Sequence, residues 1–505
     1  MPDDPQTLYQ SVCQQAVDIA RLESAEALLG WDELTKMPAA GAEHRAEQMK
    51  LLSGIIHQRW TNPRLAEQLA ILAESPLVAE PHADTAVNIR RLKRKVDRLT
   101  KLPQSLVEEL AQTASLGQHV WRKARAEDDF AAFRPVLEKT FSLKRQQADA
   151  FGYDECRYDA LLDDYEPDER TANVGRVLAE LRERLVPLVA AIAQSERLPN
   201  SALLQQEFPI ERQQRFGRRL SAAIGFDYSR GRLDETAHPF CTGLGPNDCR
   251  ITTRYDARSF GSALFGTLHE SGHGIYDQGT PTEHYGLPLG ETISLGIHES
   301  QSRLWENLIG RSRPFWQCFY GEVQEAFPEA LAQTPFEEFF FAINEVRPSL
   351  IRVEADEATY NLHILVRFEL EQALLDDDLP VADLPGAWRE KYSHYLGIEP
   401  PSDTDGVLQD VHWSAGMVGY FPTYALGNLY AAQFFAQADA DLGGLEPMLA
   451  RGEFHPLREW LRENIHRHGQ RYSAAELVER VTGKPLSSAA LIEHLRAKLG
   501  PLYGA

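Results

Sequence analysis

Cysteine, methionine, long apolar runs and positive charge are all scarce in this chain. Five cysteines (Cys13, Cys156, Cys241, Cys249 and Cys318) and five methionines occur in 505 residues. The cysteines are odd in number, widely spaced and never in a C-x-x-C pair, so free thiols in a reducing cytoplasm are the plain reading. No uninterrupted apolar run approaches transmembrane length. The N-terminus, Met1-Pro2-Asp3-Asp4-Pro5, is acidic and lacks the basic and apolar segments of a secretory leader. Lysine and arginine number 52 against 74 acidic residues, a formal net charge of −22, which argues against nucleic acid and anionic membrane surfaces as partners. Neither a fixed-period repeat nor a low-complexity tract is present. Hydrophobic content of 43% is ordinary for a globular protein and sufficient for a large core.

Helical periodicity dominates the first 230 residues. Apolar residues recur at three and four over Leu8–Leu29, Ala42–Ile56, Thr85–Leu99, Gln104–Ala124 and Thr171–Ala193, with Pro38, Pro63, Pro103 and Pro135 as punctuation. The period changes between Arg232 and Arg254. There Gly243–Asp248 is a turn cluster and Cys249–Tyr255 is rich in β-branched residues, which predicts a small antiparallel hairpin with an edge able to pair with an extended peptide. Downstream the pattern predicts helices over Phe336–Ile343 and from about Leu350 to Leu375, broken at Pro348. No linker-like composition divides the chain. One domain over 1–505 is expected, with 1–230 as helical walls and 231–505 as the catalytic part.

The chemistry concentrates at His269-Glu270-Ser271-Gly272-His273. On a helix, residues four apart lie one above the other, so His269 and His273 can offer imidazole nitrogens to one ion. Glu270 is displaced around the helix, towards a water rather than the metal. Gly and His at three and six residues after His273 would extend the motif to a third histidine. Tyr276 and Gly279 stand there instead. A carboxylate from a second helix is the other way to complete a zinc site, leaving one position open. Ile293–Asn307 reads as that helix, with Ile293, Ile297, Leu304, Trp305 and Leu308 as its buried side. Glu299 is the candidate ligand, and Glu291 and Glu306 are rivals on spacing alone. Position 303, four residues after Glu299, holds Arg rather than an Asp that would orient a ligand histidine, so Asp277 or Asp248 is expected in that role.

HESGH, IHESQSRLWEN, IRVEAD and GVLQDVHW together resemble the M32 family of metallocarboxypeptidases. WDELTKMP at Trp31–Pro38, YDALLDDYEP at Tyr158–Pro167, HPF at His238–Phe240 and DCRIT at Asp248–Thr252 extend the likeness through most of the chain. The resemblance implies a mainly α, gluzincin-type helical saddle with a deep active-site groove floored by the motif helix and a small antiparallel β-sheet along one wall. It also implies a zinc carboxypeptidase of broad specificity, with poor cleavage beside proline, that acts on peptides as a homodimer. Zinc suits two imidazoles and a carboxylate, and Co2+ or Mn2+ are possible substitutes. By the same resemblance Glu299 is the third ligand, Glu270 the general base, and His412 and Tyr420 stabilise the oxyanion, with Tyr424 as rival to Tyr420.

A carboxypeptidase also needs a cation for the free C-terminal carboxylate. Arg352 in IRVEAD and Arg250 in DCRIT are candidates, with His238 in HPF as a donor to a substrate carbonyl. Each has a plainer reading: Arg352 in an ion pair with Asp356 on one helix, Arg250 paired with Asp248, and His238 as a structural histidine. An oligoendopeptidase with the same metal site but no carboxylate receptor is the alternative activity.

Overall fold

The computed structural model describes residues 4–504, and helices make up most of them. The first helix, Pro5–Thr35, starts where the Asp4 side chain accepts from Thr7 N at 3.4 Å. Helices Ala42–Trp60, Pro63–Ala73 and Asp84–Lys101 follow it. These four share a core of their own, in which Leu8, Val12, Ile19, Trp60, Leu69 and Leu92 are buried together. The larger core runs from Ala124, near the end of helix Gln104–Glu127, to the C-terminal helix Ala489–Tyr503. Among the described residues no helix is long and apolar enough to cross a membrane.

Each of the five segments read from periodicity is a helix, and Thr171–Ala193 has the expected bounds, whereas helices Pro63–Ala73, Phe130–Phe151 and Ile210–Ile224 were not among them. Pro135, expected as punctuation, lies inside helix Phe130–Phe151. It removes only the bond its N–H would have made, and the helix continues because Phe133, Leu137 and Phe141 anchor the same face in the core.

The sheet differs from the expected hairpin. Strands β1 (Gly231–Glu235), β2 (Cys241–Gly243) and β3 (Cys249–Thr253) lie in the order β1-β3-β2. β2 and β3 form the antiparallel pair, whereas β1 runs parallel to β3, with Gly231 opposite Cys249 and Glu235 opposite Thr253. The short segment after Glu235 crosses the end of β3, held by Thr236 N to Thr253 O and Thr252 N to Phe240 O, both at 3.0 Å. That crossing puts the two outer strands on opposite sides of β3. Trp31 of the first helix packs beneath the guanidinium groups of Arg232 and Arg250, 5.0 and 4.3 Å from its ring, which ties the N-terminal helices to the sheet.

A second departure follows Pro348. The helix expected from Leu350 begins only at Tyr360 and ends at Leu375; before it, Arg352–Glu354 is a single 3-10 turn. The Asp356 carboxylate explains the delay. It accepts from the backbone N–H groups of Arg347, Ala358 and Thr359 at 2.9–3.1 Å, which holds the preceding chain in a loop.

Candidate active site

The motif lies in helix Phe260–Gly279, whose start is capped by Ser259 accepting from Ser262 N at 3.3 Å. Ala263, Leu264 and Leu268 bury one face of it. Helix Leu295–Arg303, capped by Ser294, lies across it and continues as a π-helical stretch, Leu304–Ile309. Ile293, Ile297, Leu304, Trp305 and Leu308 are buried, as their periodicity predicts. The two helices meet backbone to backbone. A Cβ on Gly272 would stand 2.5 Å from Gln301 O, so the fourth residue of HESGH has no room for a side chain. On the other side helix Pro422–Asp441 presses against Glu299, where a Cβ on Gly427 would come within 2.5 Å of the Glu299 Cγ. The two glycines set how deeply the carboxylate is held.

This packing brings three donor atoms together. His269 Nε2 and His273 Nε2 lie 3.7 and 3.5 Å from Glu299 Oε2, and all three ligand atoms fall within 4.8 Å of one another. The Glu299 side chain is otherwise fixed by Arg303 Nε at 2.7 Å on Oε1 and by Ser302 Oγ at 3.0 Å on Oε2. Glu270 is buried beside them.

Electrostatics shows what the site wants. For His269, burial opposes protonation, but the charges of Glu299, Glu306 and Glu270 together raise its pKa to about 9. Burial instead lowers His273 to about 4, helped by the neighbouring histidines. Glu299 is held well below the usual carboxylate range, because Arg303 and the two histidines outweigh its burial. Burial raises Glu270 to about 7, with Glu299 adding to the shift and His269 opposing it. A cluster that retains a proton against such burial has an excess of negative charge. Two imidazole nitrogens and a carboxylate arranged around that excess fit a divalent cation.

The support behind the ligands departs from expectation. Asp248 pairs with Arg250, and Asp277 Oδ1 accepts from His298 Nε2 at 3.0 Å, so neither orients a motif histidine. Glu306 does. Its Oε2 stands 2.9 Å from His269 Nδ1, which leaves Nε2 as the free donor atom. Glu306 was a rival for the ligand itself. Seven residues from Glu299, it projects on the same side, and the π-helical stretch places it behind the first histidine rather than in front. His273 Nδ1 is buried without a partner, and its ring instead stacks on His298 with centroids 4.3 Å apart. Glu306→Gln should therefore weaken metal binding by about 10–100-fold, measured by competition with a chelator; unchanged affinity would show that Glu306 does not orient His269.

A second group approaches from the C-terminal half. His412 Nε2 lies 3.2 Å from the Tyr424 hydroxyl, and the Tyr420 and Tyr424 rings are 5.2 Å apart. Burial lowers His412 to about 4, with Asp410 opposing and Arg352 and Arg367 assisting, so the imidazole is neutral at pH 7. The Tyr420 and Tyr424 hydroxyls are both raised, first by burial, and both feel the Glu299 carboxylate and the Arg352 guanidinium. That shared influence joins this group to the metal-ligand cluster.

Arg352 is buried and belongs to the same group. The ion pair with Asp356 expected from helical spacing does not form, because the two residues are not on one helix. Arg352 Nε donates instead to Asp410 Oδ1 at 2.9 Å, Nη1 to the Tyr360 hydroxyl at 3.0 Å, and the guanidinium lies 5.2 Å from the Tyr424 ring centre. Asp410 also takes Arg367 Nε at 2.7 Å. Two arginines around one buried carboxylate leave the group with net positive charge. Arg352 Nη2 makes no hydrogen bond to the described residues.

Arg250 matches its plainer reading, with bonds of 3.0 and 2.9 Å to Asp248 from Nε and Nη2. His238 is exposed on the connection from β1 to β2. Sequence pattern assigns no role to Tyr360, nor to Asp410 although it lies within GVLQDVHW. Asp410 sits two residues before His412, and only folding shows that it faces Arg352, 58 residues away.

Comparison with known proteins identifies the family. A family profile described as carboxypeptidase Taq (M32) metallopeptidase matches residues 11–499. Thermostable carboxypeptidase 1 of Thermus thermophilus is 48% identical over 99% of this chain and 100% of its own, and carboxypeptidase 1 of Bacillus subtilis is 40% identical over 96% of each. The crystal structure of an M32 carboxypeptidase from Deinococcus radiodurans R1 superimposes with a TM-score of 0.95 at 42% identity, covering 99% of this chain and 100% of that one. Motifs, helical architecture and relatives converge, and the chain belongs to the carboxypeptidase Taq (M32) family of metallopeptidases.

Proposed function

We propose that the protein is a zinc carboxypeptidase that holds its ion through His269 Nε2, His273 Nε2 and Glu299, and removes C-terminal residues from peptides of varied sequence. The convergence of those three atoms beside a buried Glu270 is the observation that carries the reading. Bound there, zinc would supply a Lewis acid and lower the pKa of water to near neutrality, with Co2+ or Mn2+ as substitutes. Glu270 takes the proton of the attacking water and passes it to the leaving nitrogen, so both bond changes proceed without a free ion. Neutral His412 and the Tyr420 hydroxyl donate to the oxygen that becomes negative. Tyr424, bonded to His412, fixes that imidazole and borders the substrate.

Arg352 receives the C-terminal carboxylate. Its free Nη2 and the extra positive charge around Asp410 suit an anion, whereas the Arg250 charge is already met by Asp248. His238, on the sheet connection, is our candidate donor to a peptide carbonyl further from the scissile bond. We read residues 1–505 as one peptidase domain that acts as a cytoplasmic homodimer; the free cysteines and acidic surface support the compartment, and sedimentation tests the dimer.

The discriminating experiment compares a peptide with its C-terminally amidated twin. The free peptide should lose residues one at a time from its C-terminus, and amidation should slow cleavage by about 10–100-fold, the loss of one charge-assisted interaction. Equal cleavage of both, at internal bonds, would point to an oligoendopeptidase.

A further inference from the structure

The described residues bring a second set of donor atoms together, away from the three ligands above. Cys241 on β2 and Cys249 on β3 are diagonal neighbours across the antiparallel pair. The register places Cys241 opposite Ile251 and Cys249 opposite Gly243, so both thiols project from the same face of the sheet. Their sulfurs are 3.7 Å apart. Asp277, one turn beyond His273 on the motif helix, brings its Oδ2 to 3.7 Å from the Cys241 sulfur and 3.9 Å from that of Cys249. The other oxygen is held by His298 Nε2 at 3.0 Å, which orients the carboxylate. Gly243, opposite Cys249, lies close to the carboxylate: a Cβ there would be in van der Waals contact with Oδ2, at 3.4 Å.

These separations match the edges of one coordination tetrahedron. Two sulfurs each bound at about 2.3 Å to zinc stand about 3.8 Å apart, and a sulfur and a carboxylate oxygen about 3.5 Å. A disulfide would need the sulfurs at about 2.05 Å. Cys249 and Asp277 also line an open cavity of about 480 Å³ with Leu244, Gln278 and Thr292, from which a water can complete the set. We propose that Cys241, Cys249 and Asp277 form a second metal site, selective for a thiophilic divalent ion such as zinc, separate from the His269, His273 and Glu299 centre. Each thiolate bonds to the ion as its proton leaves to solvent, and no electron changes hands. The link from Asp277 through His298 to the stacked His273 ring makes this site a neighbour of the catalytic one.

Titration of the reduced, full-length protein with Cd2+ tests the proposal. Expected is a thiolate-to-metal charge-transfer absorption that saturates within two equivalents per chain, the catalytic centre taking the other ion silently, and is lost in both Cys241→Ser and Cys249→Ser. The His2Glu centre cannot produce that band, because it has no sulfur. Its absence, or its persistence in both serine variants, would overturn the proposal. If the variants fail to fold, X-ray absorption on the zinc-loaded natural protein gives the same decision. Sulfur neighbours at about 2.3 Å support the site, and nitrogen and oxygen scatterers alone reject it.

Discussion

Glu270→Gln should retain the catalytic ion and lose about 10²–10⁴-fold in kcat for release of a C-terminal residue, the range over which a positioned base acts. The substitution is nearly isosteric, and Glu270 lies outside the three-atom ligand set. Burial places its proton affinity near neutrality, where a carboxylate can both accept a proton and return it. An amide can do neither. Metal content, circular dichroism and KM should therefore stay close to those of the natural protein while turnover collapses. Comparable turnover would remove Glu270 from the chemistry; loss of metal would instead make it part of the ligand set.

Asp410→Ala should cost about 3–5 kcal/mol of stability, the penalty for leaving buried charges without their partner. Among the described residues Asp410 is the one carboxylate bonded to both Arg352 and Arg367, and Arg367 is fully buried. Removing it leaves two guanidinium groups facing each other in the interior. Urea denaturation measures the loss, and a change below about 1 kcal/mol would mean the pair is solvated or repacks. Acid dependence gives a second reading of the same contact. Arg367 and Arg352 outweigh burial and hold the Asp410 carboxyl well below its ordinary value of 3.8. A depressed folded pKa stabilises the protein above the unfolded value, and that contribution fades as pH falls below about 4. The natural protein should lose stability on this acid limb, and the variant should lack that component.

Local pattern carried much of the fold and the ligand set. Thr171–Ala193 and Phe336–Ile343 have the bounds their periodicity predicts, because a helix buried on one face writes its period into consecutive residues. His269 and His273 were legible for the same reason, their spacing being that of one turn. Features set by distant partners were not legible. Arg352 and Asp356 have helical spacing, but three backbone N–H groups claim Asp356 and Asp410 claims Arg352. The parallel pairing of β1 depends on which side of β3 the chain crosses, which composition does not encode. Glu306 was visible as a carboxylate near the ligands, yet its role as support for His269 depends on the π-helical stretch that follows Arg303.

All of the catalytic reading requires an ion between two helices. Anomalous diffraction at the zinc edge, from crystals of protein purified without chelator and soaked in zinc, locates it directly. The expected result is a strong peak within bonding distance of His269 Nε2, His273 Nε2 and a Glu299 oxygen, lost after chelation together with peptide hydrolysis. A fully active, zinc-loaded protein with no peak between those three side chains would contradict it.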